Sequence, residues 1–138
     1  MAYSELLVRP MREELTRLGV EEWRSAEEVR DALSDPEGTT LIVINSVCGC
    51  AARNARPAVA LALDDGKRPE RTATVFAGQD AEATQEVRNH LHGYPPSSPS
   101  IALLKDGEVV LMLERHRIEG RTAEEIAGDL RSAFDEHC

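Results

Sequence analysis

No apolar run in this chain approaches the roughly 18–20 residues that span a bilayer. A membrane role is therefore excluded at the level of sequence. Residues Met1 to Pro10 lack a basic start followed by a long apolar stretch, which argues against a secretory signal. A cytoplasmic location is the expectation. Cations are outnumbered, 16 Lys and Arg against 25 Asp and Glu, giving a formal net charge of −9. Nucleic-acid binding normally needs a basic face, so that class is set aside. The acidity reads as solubility. Cysteine is scarce: there are three, which suits reduced catalytic or metal-binding thiols in a cytoplasm better than a disulfide framework.

What is present is one domain of ordinary size. The 138 residues suit a single core over 1–138, and no repeat, linker or second domain interrupts them. Met11, Leu15 and Leu18 have helical spacing, with Gly19 as a stop and Pro10 fitting the first turn. Ser25 to Glu28 reads as a capping box opening a short helix. Thr39–Asn45 is continuously apolar in its middle, as a central strand covered on both faces should be. A helix begins near Cys50 and ends before Asp64-Asp65-Gly66, with Pro57 expected to kink it. Thr72–Ala77 is a second strand. Asp80 is a candidate N-cap for a helix bearing Ala83, Val87 and Leu91, stopped by Gly93. Ser100–Lys105 and Glu108–Leu113 flank Asp106-Gly107, a strong hairpin signal. Thr122 to Glu125 caps a last helix with Ile126, Leu130 and Phe134 facing inward.

The chemistry centres on Cys48-Gly49-Cys50, which lies between a strand and a helix. A helix N-terminus offers unpaired N–H groups and partial positive charge, both of which favour thiolate over thiol. The thiolate is the species that attacks a disulfide. Cys48, at the helix start, is the candidate nucleophile. Cys50, a step further in, is the resolving thiol. Gly49 adds no side chain and leaves the backbone adaptable. A Cys48–Cys50 disulfide would close a small, strained ring, which makes it easily reduced. Cys138, the last residue, is a candidate accessory thiol, read first as a mobile tail. His90, His92 and His116 read as surface or structural residues, and Trp23 as packing.

From residue 39 onward the predicted order is strand, helix, strand, helix, strand, strand, helix. It resembles the thioredoxin-like order: an α/β fold with a four-stranded mixed sheet flanked by helices, here with an N-terminal helical extension. On that fold the dithiol follows the first core strand, where Cys48 and Cys50 fall. The resemblance also implies a cis proline at Pro99, just before the strand at Ile101. Ser98 would then offer its backbone to an extended substrate.

Longer motifs narrow the resemblance. Val43 to Ala52, Ala55-Arg56-Pro57, Phe76 to Asp80, Pro96 to Ser100, Arg115 to Gly120 and Ala133 to Cys138 together are similar to the bacilliredoxin family. That resemblance implies removal of bacillithiol from S-bacillithiolated proteins, with disulfide isomerase or reductase activity beside it. Cys48 attacks and Cys50 is its partner. No bound cofactor is implied; bacillithiol is the co-substrate. The implied partners are mixed-disulfide client proteins and a low-molecular-weight thiol. Two rival readings stay open. One is a metal or iron–sulfur carrier using Cys48, Cys50 and Cys138, since clusters accept thiolates, although the spacing matches no common zinc pattern. The other is a thioredoxin-fold binding module without turnover.

Overall fold

The computed structural model describes residues 2–138. Five strands form one mixed sheet in the order β1-β3-β2-β4-β5. They are β1 (Glu21–Glu22), β2 (Thr39–Asn45), β3 (Arg71–Phe76), β4 (Ser100–Lys105) and β5 (Glu108–Leu113). β2 is the central strand and every residue of it is buried. It runs parallel to β3 and antiparallel to β4. β4 and β5 form the expected hairpin, and Asp106 and Gly107 both take positive φ in its turn.

Alternation along β2 divides the core in two. Leu41 and Val43 face a cluster containing Val59, Ala62, Ile126, Leu130 and Phe134. These come from α3 (Arg56–Asp64) and α5 (Ala123–His137). Ile42 and Ile44 face the other side, against Trp23, Val29, Ala83 and Val87. That layer is built by α2 (Ala26–Leu33) and α4 (Ala81–Asn89). Each buried aliphatic side chain contributes roughly 1.5–3 kcal/mol, so this two-sided burial fixes the height and direction of β2. The chain must therefore leave the sheet at Asn45, directly before the cysteines. Among the described residues, no helix is long and apolar enough to cross a membrane.

Several expectations need correction. The sheet has a fifth strand, β1, parallel to β3 at Ala73 and Thr74. Two glutamates carry almost no strand propensity, so the sequence hid it. Pro10 is interior to α1 (Glu5–Thr16), which is capped earlier by the Ser4 hydroxyl accepting from Leu6 N–H at 3.2 Å. Pro10 is exposed, so the Leu6 carbonyl it leaves unpaired can turn to solvent. Asp80 precedes α4 but makes no side-chain cap. Its carboxylate accepts instead from Arg12 at 2.7 and 3.3 Å. Arg12 is buried, pairs also with Glu22 and Glu5, and lies 5.3 Å from the centre of the Phe76 ring. This cluster ties α1 and β1 to the start of α4. α4 also ends at Asn89, so Leu91 packs from the turn beyond the helix.

Candidate active site

The segment after β2 is held by a buried polar network. Arg56, only 2% exposed, donates to Asn45 Oδ1 at 2.9 Å and to the Ser46 carbonyl at 3.0 Å. It also pairs with Glu14 at 3.2 Å. Asn45 Nδ2 donates to the Met11 carbonyl at 3.2 Å, and Asn45 Oδ1 accepts the Ser46 N–H at 2.9 Å. Strand end, first helix and α3 thus fix one another where the chain turns toward Cys48.

The helix that follows opens with a widened, π-type turn over Ala51–Ala55, and α3 continues from Arg56. Pro57 has no N–H, and its ring would crowd the Arg53 carbonyl in a regular α-helix. Widening the preceding turn relieves both, which is the form the expected kink takes. Such turns are frequent at functional sites. Asn54, within this turn, donates to the carbonyls of Ile118 and Arg121. It fastens the thiol-bearing turn to the segment after β5.

Cys48 and Cys50 are both half-buried free thiols in different surroundings. Around Cys48, burial alone would push the thiol up. The Ser46 hydroxyl donating to Sγ at 3.2 Å, the backbone N–H groups of Ala51 and Cys50, and the Arg115 charge outweigh it. Together they hold Cys48 below the usual thiol range. Cys50 packs against the core on the α3–α5 side. Burial pushes its thiol up, and the neighbouring Cys48 and Glu119 add to the rise, against Arg115. The two sulfurs are thus driven apart in acidity, as a nucleophile and its partner should be.

Arg115 lines the Cys48 cavity and is a site residue to which the sequence assigned no role. Its backbone N–H donates to Ser97 Oγ at 3.2 Å, and Nη1 donates to the Ser98 carbonyl at 3.3 Å. Glu119 accepts an ion pair at 3.1 Å. The charge of Cys48 holds the guanidinium above its ordinary value, and Glu119 adds to this. Ser46 was likewise missed as a donor. The only signal for either was membership of a longer motif.

Ser98 shares with Cys48 a shallow cavity of about 360 Å³, also lined by Ser46, Arg88, Arg115 and Tyr3. The Ser98–Pro99 peptide is cis, and Pro99 is buried. Gly49 is exposed. Its φ lies outside the left-handed region, and a β-carbon there would meet only the Arg53 side-chain end, at 2.7 Å. That end can move, so the site does not require glycine for its backbone shape.

Cys138 lies elsewhere. α5 runs to His137, and the Cys138 N–H donates to the Phe134 carbonyl at 2.8 Å. The residue is an exposed helix end, not a loose tail. It lines a cavity of about 740 Å³ with Thr39, Lys105 and Asp106, at the opening of β2. Cys48 follows the other end of that strand, and six residue steps span roughly 20 Å. The three thiols do not converge within one chain. Among the described residues, no group of three His, Cys, Asp or Glu is placed to hold a metal ion.

A disulphide isomerase family model matches residues 3–138. A bacilliredoxin from Koribacter versatilis is 53% identical over 136 residues, covering 99% of this chain and 94% of that protein. One from Salinibacter ruber is 56% identical, covering 100% and 82%, and one from Bacillus licheniformis is 52% identical, covering 99% and 95%. Among solved structures, a thioredoxin from Fasciola hepatica superposes with a TM-score of 0.57 at 18% identity, covering 86% of this chain and all of that one. A putative oxidoreductase with a thioredoxin fold gives 0.56 at 11%, covering 84% and 93%. The thioredoxin-like architecture is therefore the fold of this chain.

Proposed function

We propose, from the premise that this chain belongs to the bacilliredoxin family of thiol oxidoreductases, that it removes bacillithiol from S-bacillithiolated proteins. The observation that carries the reading is a pair of free thiols one residue apart, with the Ser46 hydroxyl 3.2 Å from Cys48 Sγ and Cys50 packed against the core.

The Cys48 thiolate attacks the bacillithiol sulfur of a client mixed disulfide. A Cys48–bacillithiol S–S bond forms, the client S–S bond breaks, and the client thiolate leaves and takes a proton from solvent. A second thiolate then attacks Cys48 Sγ and releases bacillithiol. Cys50 supplies it by closing the Cys48–Cys50 disulfide, which two further thiols reduce. A free bacillithiol thiolate can instead attack the Cys48-bound bacillithiol sulfur, releasing Cys48 and the bacillithiol disulfide. Burial keeps Cys50 protonated while Cys48 is charged. Once Cys48 is held in the mixed disulfide, its charge no longer adds to burial and Glu119 in raising Cys50, and ionisation of Cys50 becomes easier.

Ser98 borders the cavity, and with the cis Ser98–Pro99 peptide behind it it offers the surface on which the modified segment lies. A disulfide isomerase or reductase activity is secondary, because the small Cys-Gly-Cys ring is a poor acceptor of electrons from stable structural disulfides. The setting is a reducing cytoplasm, with bacillithiol as co-substrate and no bound cofactor. A pure binding module would have no use for two thiols tuned in opposite directions.

The test compares bacillithiol release from a modified client with insulin reduction at equal protein concentration, each with excess of its own reductant. The expected result is bacillithiol transfer to Cys48 and slow insulin reduction. Faster insulin reduction with no bacillithiol on Cys48 would make this an ordinary thioredoxin.

A further inference from the structure

One cation beside Cys48 has no task in the exchange just described. Arg88, in the last turn of α4, lines the same cavity as Cys48, Ser98 and Arg115. Its Nη2 reaches the Ser97 carbonyl at 3.5 Å, a long contact, and its Nε is buried without a partner. Burial is the one cause holding its guanidinium below the ordinary value; no carboxylate counteracts it. Arg12, Arg56, Arg115 and Arg121 each pair with a carboxylate. The charge that lowers Cys48 is that of Arg115. The end of the α4 dipole offers Arg88 only a partial charge, and a half-buried cation without a counter-ion is costly. On a chain of net charge −9, this is a positive spot within the cavity that Cys48 lines.

We infer that Arg88 forms a subsite for a carboxylate of an acidic low-molecular-weight thiol presented to Cys48. The inference rests on the small-thiol exchange reading and deepens it. Arg88 binds the half of the mixed disulfide that is transferred to Cys48, leaving the client half to the Ser98 side. A guanidinium suits this role because its planar donors match a carboxylate in two places.

The experiment uses one peptide whose cysteine is disulfide-bonded either to mercaptosuccinate or to 2-mercaptoethanol. kcat/KM is measured for the wild type, Arg88→Gln and Arg88→Lys. The wild type should prefer the acidic adduct, and the preference should shrink with added salt. Arg88→Gln should lower the acidic-to-neutral ratio about tenfold, mainly through KM, and Arg88→Lys should recover part of it. Because the ratio is taken within each variant, a loss of folded protein cancels. A wild type without preference, or a ratio unmoved in Arg88→Gln, overturns the subsite and leaves the exchange reading standing. Exchange with neither adduct overturns that reading as well. A peptide pair differing by Glu or Gln beside the cysteine forms the last arm. If the Arg88 effect follows that residue, the carboxylate belongs to the client and the assignment to the small thiol falls.

Discussion

The two ends of β2 each lie near an exposed or half-exposed thiol, yet only one of these thiols sits among groups that favour a thiolate. At the end where β2 begins, Cys138 borders the larger cavity, about 740 Å³, among Arg68, Lys105, Glu37 and Glu70. At the end where β2 leaves the sheet, the cavity is about half that size, 360 Å³. There Cys48 receives a hydroxyl, two backbone amides and a guanidinium charge. Volume and exposure therefore do not pick out the thiol held below its ordinary range. Directed donors do, because they act on the thiolate and not on the thiol.

The sharpest way to break this contrast is to remove thiols one at a time. Cys48→Ser should abolish exchange with a model mixed disulfide. Cys50→Ser should retain attack and accumulate a mixed disulfide on Cys48, visible by intact mass. Equal trapping in both variants would erase the division between them. A smaller effect should come from the donors. Cys48 is held below the ordinary thiol range and Cys50 above it. Alkylation of Cys48 should therefore persist at pH values where Cys50 is still protonated, and should fall only as pH drops through the depressed value. Ser46→Ala should move the Cys48 profile to higher pH and slow neutral-pH exchange by about three- to tenfold. Arg115→Gln should do so more weakly, and its effect should fade with salt because Arg115 is exposed. An unchanged profile in both variants would mean the donors do not tune the sulfur. The smallest effect belongs to the opposite end: Cys138→Ser should leave exchange within about twofold, since Cys138 is anchored to Phe134 far from the site. A loss as large as that of Cys48→Ser would place Cys138 in the catalytic set.

Much of the frame was legible because its signals are local. The bounds of β2, β4 and β5, the caps at Ser25 and Thr122, and the inward stripe on α5 all follow from short patterns. What was hidden depends on distant partners. Asp80 reads as a cap until Arg12 claims it. Glu21 and Glu22 become a strand only because β3 offers an open edge. At the site, the two cysteines were visible from spacing alone, and the cis Ser98–Pro99 bond followed from family resemblance. Arg115, Asn54 and Arg88 were not visible. Each is an ordinary polar residue whose role appears only when the hairpin and α4 close around the dithiol.

The reach from Arg115 to Cys48 also has a meaning in the time order of synthesis. A ribosome delivers Ser46, Cys48 and Cys50 together, and the local hydroxyl and amides arrive with them. The guanidinium comes only after β4, β5 and the turn beyond them have been made. Asn54 then has carbonyls at Ile118 and Arg121 to hold. A nascent chain that stops short of Arg115 carries both cysteines without the full charge that sharpens the first. The last of the groups that lower the Cys48 thiol thus arrives only with the completed hairpin.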